Sequence, residues 1–299
     1  MNKHATTKFA AMGGIFEVTV VGKEIQLISE AESFILNLEN LWSRFKSASE
    51  ISRLNSAEGN PVLVSDETCQ LIKLMIESHS KTDQIFDPTV LPLLLELGYN
   101  ESKTGSGEKT ELPPSAQWPG DLNGIEINHG IVKMPKGTTL DAGGIGKGFA
   151  ADLLAKSLID HGAEGVLVSA SGDVVCMGES VDGQSWKIGI EDPFKPGTEF
   201  EKIQIHDGAV ATSSSMKNTF KNNEHHLIDK SIGKTSALNI ATATVIANSG
   251  VNAEVLTKIA FHYEPHKAIE EIEKLKGYAL IVEKNGDITR SQKWTEFVL

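Results

Sequence analysis

The sequence predicts an α+β fold. Long amphipathic helical patterns lie among many short strand patterns, the two do not alternate as repeated βα units, and no internal repeat period appears. At 299 residues the chain is long enough for a sizeable core, in one large domain or two intimate lobes. Hydrophobic residues make up 40% and charged residues 23%, as in ordinary globular proteins. The net charge of −12 argues against nucleic-acid binding, because most of the surface would repel a phosphate backbone, yet it leaves room for a local anion site. Two cysteines, Cys69 and Cys176, are too few for a disulfide framework or a thiolate metal cage. The first eight residues lack the apolar run of a signal peptide, and no stretch is apolar enough to insert in a membrane, so a cytoplasmic location is expected.

Residues 12–21 read as a strand entered through Gly13 and Gly14. Ile28, Ala31, Phe34, Ile35, Leu38, Leu41, Trp42 and Phe45 then step by three and four along one helix, a stripe that faces a core. Ser49 and Glu50 open a short helix, and Leu71, Ile72, Leu74 and Met75 mark another, capped by Ser65 or Asp66. Residues 85–98 form an apolar run with Pro88 and Pro92, awkward for a central strand, where Asp87 either serves a ligand or caps the turn at Pro88. Residues 101–120 are polar and rich in turn formers, which suggests a mobile surface insertion. Beyond a central helix, strands are expected at 165–175, 186–193, 203–205, 209–213, 225–229 and 241–247. Helices follow over 251–261 and through Ile269, Ile272 and Leu275, then a strand over 278–282.

The central feature spans 140–154. An extended run, 138–140, delivers Asp141; Gly143, Gly144, Gly146 and Gly148 follow with Lys147 among them; Phe149, Ala150, Leu153, Leu154, Leu158 and Ile159 then recur at helical spacing. This reads as strand, glycine turn and helix N-terminus. Glycines admit a ligand close to backbone N–H groups, and a first helical turn offers unpaired donors to anions. Lys147 adds a positive charge, whereas Asp141 suits a ribose hydroxyl or a ring N–H and would repel a bare phosphate. The pair suggests a ligand with both a phosphate part and a hydrogen-bonding ring or sugar. Residues 146–151 formally match the dinucleotide fingerprint, but no βα repeats precede them, and Gly148 after Lys147 departs from a P-loop. A purely structural glycine turn is the remaining alternative.

Thr212, Ser213, His226, Asp229, Asp141, Asp173, Glu254 and Thr257 stand beside tight turns or on one helix face. Each alone has a structural explanation, such as a hydrogen-bonded strand histidine or a turn-initiating aspartate. Glu254 and Thr257, at i and i+3, share a helix face and so can both reach one ligand, although an exposed Glu on a helix is commonplace.

Read in order, these segments resemble the ApbE-like flavin transferases (FAD:protein FMN transferases) over 8–299. The matching segments are 12–14, 49–55, 86–90 with Pro92 and Leu93, 140–148, 171–173, 188–193, 211–213, 226–229 and the helix carrying Glu254. The resemblance implies a site between two lobes that binds FAD and a divalent ion, normally magnesium. Such enzymes cut the FAD pyrophosphate, attach FMN by a phosphoester to Thr or Ser of an acceptor flavoprotein, and release AMP; some relatives hydrolyse FAD to FMN and AMP instead. Carried over by motif, Met12, Ile85, Phe86, Asp87, Asp141, Lys147 and Ile228 would bind FAD. The Gly144 carbonyl, Glu254 and Thr257 would hold the metal. His226 would be the base that activates the acceptor hydroxyl, with Asp229 and Thr212 beside it in the catalytic group. The chain departs from the family where Glu254 replaces an aspartate and Lys258 stands where threonine is common. The turn at 229–233 and the pair Ser171 and Gly172 also differ from the family pattern. A lysine ammonium near the metal would oppose a cation or substitute for its charge. The other two readings are an FAD pyrophosphatase and a non-catalytic flavin-binding protein.

Overall fold

The computed structural model describes residues 3–102, 107–217, 227–229 and 233–299. The chain opens with a hairpin, β1 (His4–Ala11) and β2 (Gly14–Val21), turned by Met12 and Gly13 with φ of 49° and 74°. Two positive φ values in a two-residue loop make a type I′ turn, whose twist matches that of the strands. Next come α1 (Ala31–Trp42), α2 (Glu50–Asn55), β3 (Val62–Leu63), α3 (Asp66–Lys81) and α4 (Leu91–Glu96). They are followed by β4 (Glu126–Asn128), β5 (Ile131–Lys133) and α5 (Gly146–Asp160). The strand-rich part contains β6 (Gly165–Ala170), β7 (Asp173–Gly178), β8 (Trp186–Glu191), β9 (Glu199–Ile205), β10 (Gly208–Ser214), β11 (Ile228–Asp229), β12 (Lys234–Thr235) and β13 (Ile240–Ala247). The chain closes with α6 (Gly250–Ala260), α7 (Pro265–Lys274), β14 (Tyr278–Glu283) and β15 (Ile288–Arg290).

The main sheet runs β1-β2-β6-β7-β10-β13-β14-β15, every pair antiparallel. This is the α+β class expected. Helices α1, α5, α6 and α7 cover one face, where Phe16, Val18, Val166, Val168, Val245 and Ile281 meet Ile35, Leu154, Val255 and Ile272 in the larger core. The β8–β9 ribbon and Trp294 cover the other, packing Ile188, Ile203 and Ile205 on Val210, Ile246, Leu280 and Val282. All eight residues of β13 are buried because both faces of the sheet are covered there.

Three expectations change. The strand at 12–21 is half of a hairpin whose partner β1 the pattern hid: only Phe9 and Ala11 of its eight residues are buried, as befits an edge strand. Residues 138–140 form no strand; instead the Asn55 side chain donates to Leu140 O (2.9 Å) and accepts from Leu140 N (2.7 Å), supplying both bonds a neighbouring strand would have made. The described part of 101–120 is tied to the body. Trp118 Nε1 donates to Asp87 Oδ2 (2.8 Å), Gln117 N to Gly137 O (3.0 Å) and Ser115 Oγ to Glu58 Oε1 (3.1 Å). The starts of α2, α3 and α6 are capped by serines, Ser49, Ser65 and Ser249, each accepting from the backbone N–H three residues on.

Helices α5 and α6 meet through glycine. A Cβ built on Gly148 would lie 2.4 Å from Gly250 O, and one built on Gly250 would lie 2.5 Å from Gly148 O, so the two backbones are in direct contact. Asp152, one turn along α5, caps α6 by accepting from Gly250 N (2.7 Å) and Val251 N (3.0 Å). Burial pushes its carboxyl up to about 6, against the pull of those two N–H groups and with Glu254 adding to the rise. Because this value exceeds the free value of 3.8, the folded protein holds a proton that the unfolded chain releases between the two. The contribution of Asp152 to stability is therefore fullest at low pH and falls as pH rises through about 6. Urea unfolding of the native protein and Asp152→Asn from pH 4.5 to 7.5 is expected to show the native curve falling relative to the variant; parallel curves would count against it.

Candidate active site

A cavity of about 790 Å³ opens where the hairpin tips, the ends of α1, α5 and α6, and strands β8 and β10 converge. The Met12–Gly13 turn forms one edge, its position fixed by Met12 N donating to Glu39 Oε2 on α1 (2.7 Å). Beside it lies the β6–β7 turn, Ser171 and Gly172, also with positive φ (59° and 101°), joined to it by Ser171 N donating to Ile15 O (2.8 Å). Helix α1 ends at Trp42, three residues short of the Phe45 end of its stripe. The extended Ser43 then turns Arg44 and Phe45 toward the cavity.

Asp141 lies on the cavity wall with a side chain 12% exposed, 3.3 Å from Arg44 Nε. Arg44 is fixed on all sides: Nη1 donates to Thr110 Oγ1 (2.7 Å), Nη2 to Tyr99 O (2.9 Å), and the guanidinium stacks over the Phe45 and Tyr99 rings. A planar fork held in this way orients one carboxylate oxygen and leaves the other for a ligand. Lys147, at the start of α5, lies 3.1 Å from Asp173 Oδ2 and 3.5 Å from Glu254 Oε1. Burial alone would lower its proton affinity, but those two carboxylates hold it well above the ordinary lysine range. Asp173 also accepts from Thr212 N (3.0 Å), linking the glycine turn to β10. Thr212 is exposed on the cavity wall, its hydroxyl 2.9 Å from that of Thr244.

Ile85, Phe86 and Asp87 all line the cavity, with Phe86 buried against Gly144. The Asp87 carboxylate is committed locally: Oδ1 accepts from Thr89 N (2.8 Å) and Thr89 Oγ1 (2.7 Å), Oδ2 from Trp118. Its capping role, one of the two expected, is the one these bonds display. Met12, Gly144, Ile228 and Glu254 also line the cavity. His226 lies outside the described residues, as does the side chain of Asp229, whose backbone pairs in β11 with Lys234.

Thr257 departs from expectation. It is fully buried, and among the described residues the cavity wall does not include it. Its Oγ1 donates to Glu254 O (2.7 Å) and lies 2.7 Å from Ser213 Oγ on β10. The residue that shares the cavity with Glu254 is Lys258, at i+4, and Thr257 turns to the sheet instead. Glu254 is also engaged, Oε2 accepting from Gly148 N (2.8 Å) and Oε1 facing Lys147. Magnesium asks for about six oxygen ligands in near-octahedral array. Here one carboxylate is taken, one hydroxyl is turned away and the Lys258 side chain runs beside Gly144, so the residues present do not fit the divalent ion. Among the described residues no three His, Cys, Asp or Glu side chains gather elsewhere as a metal site.

Arg44 is the functional residue that sequence reasoning missed. Its signal is an arginine between Trp42 and Phe45 at the end of an apolar stripe, a position where an unpaired cation would be costly. Asp173 had been noted beside its turn, but not its bonds to Lys147 and Thr212.

A glycine turn with buried carboxylates and ammonium groups around one cavity is the site of an enzyme or a carrier for a polar, partly anionic ligand. The chain belongs to the ApbE family, whose family model matches residues 12–282. It is 26% identical over 277 residues to the FAD:protein FMN transferase of Haemophilus influenzae, covering 88% of this chain and 80% of that protein. With the Escherichia coli K12 FAD:protein FMN transferase it shares 25% identity over 292 residues, covering 92% and 83%. Among solved structures, the ApbE protein of Thermotoga maritima superposes with a TM-score of 0.85 at 25% identity, covering 99% of both chains. The flavin transferase ApbE of Vibrio cholerae has the same fold, with a TM-score of 0.81 at 21% identity over 99% of this chain and 100% of that one. Among the described residues no helix is long and apolar enough to cross a membrane.

Proposed function

We propose that this chain is an FAD:protein FMN transferase that cleaves the FAD pyrophosphate, joins FMN by a phosphoester to a Thr or Ser hydroxyl of an acceptor flavoprotein, and releases AMP. One observation carries this reading: a single cavity places a carboxylate held ready by Arg44 at one point of the glycine turn and an ammonium, Lys147, six residues on. A ligand that satisfies both has a hydrogen-bonding ring or sugar and a phosphate group, and the relatives named above support FAD as that ligand.

In this reading the apolar wall of Met12, Ile85, Phe86 and Ile228 excludes water from the flavin, while Asp141 accepts from a ring N–H or hydroxyl. Lys147, locked between Asp173 and Glu254, keeps its charge and direction, so no reorganisation is needed as charge grows on the reacting phosphoryl group. The acceptor hydroxyl oxygen bonds to the FMN phosphorus. The bridging P–O bond breaks with its electron pair going to AMP, and the hydroxyl proton passes to His226. The reading assigns Thr212 and Asp229 to the same catalytic group as that base, and water in place of the hydroxyl would give FMN and AMP.

Incubation with FAD, with and without a threonine-bearing acceptor peptide, tests this by AMP release and intact mass. AMP together with an FMN-sized mass gain on the peptide is the expected result. AMP with free FMN alone would make the protein a pyrophosphatase, and FAD bound but intact would make it a carrier. Asp141→Asn, which keeps shape and the Arg44 contact, is expected to weaken FAD binding at least about tenfold, the worth of one charged hydrogen bond. Unchanged binding would remove Asp141 from the site.

A further inference from the structure

Four cations, Arg44, Lys147, Lys217 and Lys258, line the described part of the cavity. Among the described residues three of them have a carboxylate partner, Lys217 pairing with Glu191. Arg44 pairs with Asp141, and Lys147 with Asp173 and Glu254. Lys258 is half-buried on α6, and its Nζ donates to a neutral acceptor, the carbonyl oxygen of Glu254, at 2.8 Å. Among the described residues no carboxylate lies within ion-pair distance of it. An ammonium has three donors and a cost of burial that only an anion offsets well. Burial, with Lys147 adding to it, lowers the proton affinity of Lys258, and the attraction of Glu254 and Asp173 does not restore it.

Its place in the cavity is equally specific. A Cβ built on Gly144 would lie 3.5 Å from Lys258 Cε and 3.2 Å from Phe86 Cε2, so the lysine stem runs alongside the glycine turn. That is where Gly144, Glu254 and Thr257 were expected to hold a divalent ion, and where Glu254 is instead engaged by Gly148 N and Lys147, and Thr257 by Ser213.

We propose that the Lys258 ammonium, with Lys147 beside it, is the cation that meets the FAD diphosphate in this chain, so that the diphosphate is bound and its charge neutralised without a divalent metal ion. The inference rests on the FAD reading above. Lys258 brings a positive charge with no carboxylate partner among the described residues, and Lys147, its charge shared with Asp173 and Glu254, adds a hydrogen-bond donor already fixed to the fold. The diphosphate in turn provides the anionic partner that Lys258 lacks among the described residues.

The test measures FAD affinity by flavin fluorescence in EDTA and in magnesium, for the native protein and for Lys258→Met, which keeps the aliphatic stem. Manganese binding is followed in parallel by electron paramagnetic resonance with FAD present, and melting temperatures verify that both proteins are folded. The native protein is expected to bind FAD within about twofold of the same affinity in EDTA and in magnesium, and to bind no stoichiometric manganese. Lys258→Met is expected to bind FAD at least about tenfold more weakly in EDTA, the worth of one charge-assisted contact. Magnesium-dependent FAD binding by the native protein, one manganese per protein–FAD complex, or unchanged affinity in Lys258→Met would each overturn the proposal while leaving the FAD reading intact. Absence of FAD binding by the native protein under both conditions would remove the FAD reading, and this inference with it.

Discussion

Gly148→Ala is expected to destabilise the protein by about 3 kcal/mol or more and to abolish FAD binding, whereas Gly146→Ala two residues earlier is expected to cost about 1 kcal/mol at most. The two glycines belong to the same helix start, yet their surroundings differ. A methyl on Gly148 would sit 2.4 Å from Gly250 O, 2.5 Å from Gly250 C and 3.0 Å from Val251 N, all backbone atoms that no side-chain rotation can remove. Helices α5 and α6 would have to separate, and the bond from Gly148 N to Glu254 Oε2, 2.8 Å long, would be lost with the contact. At Gly146 the nearest obstacle is the Ala142 methyl at 3.3 Å, and alanine's better helix propensity offsets the crowding. Urea unfolding of the two variants beside the native protein gives the comparison; similar losses for both would mean that the helix crossing is softer than the geometry implies.

Arg44→Ala is expected to cost about 3–5 kcal/mol, the range found when one partner of a buried ion pair is removed. Asp141 would be left as a largely buried carboxylate without its counter-charge, and Thr110 Oγ1 and Tyr99 O would lose a donor. The Phe45 and Tyr99 rings, which meet edge-on, would lose the guanidinium that packs over both. Arg44→Lys restores charge but not the fork, so it is expected to recover part of the stability while FAD affinity stays low, because a single ammonium cannot reach Asp141, Thr110 and Tyr99 together. Thermal unfolding and flavin fluorescence separate the two effects. Native-like binding in Arg44→Lys would show that charge alone positions Asp141.

The fold class and most helices were legible because their signals are local. The stripe of α1, the serine caps of α2 and α3, and the glycine turn before α5 each lie within one short window of sequence. The edge strand β1 and the short strands β4, β5 and β15 were not legible, since each buries few residues or lies at a sheet edge and carries no strong apolar alternation. At the site, Asp141 and Lys147 were visible because one turn carries both. Arg44 was hidden because its partners lie at 99, 110 and 141, joined to it only by folding. The assignment of Thr257 failed for a geometric reason: i+3 and i+4 are both neighbours of Glu254 on a helix, and only packing against Ser213 decides which of them faces the sheet.

The alternation of β10 decides which side of the sheet each of its hydroxyls faces. Ala209 and Ala211 point into the helix-covered core and Val210 into the opposite one, so Ser213 falls on the side of α6 and Thr212 on the side of Thr244. A slip of one residue would exchange the two hydroxyls, but it would also drive Val210 into a space fitted to alanine and leave an alanine where valine fills the far side. The polar end of the strand is thus held in register by apolar residues packed into the two cores, of which Val210 and Ala211 also reach the cavity lining. The chemistry of the polar end of β10 therefore depends on the same register that packs its apolar half.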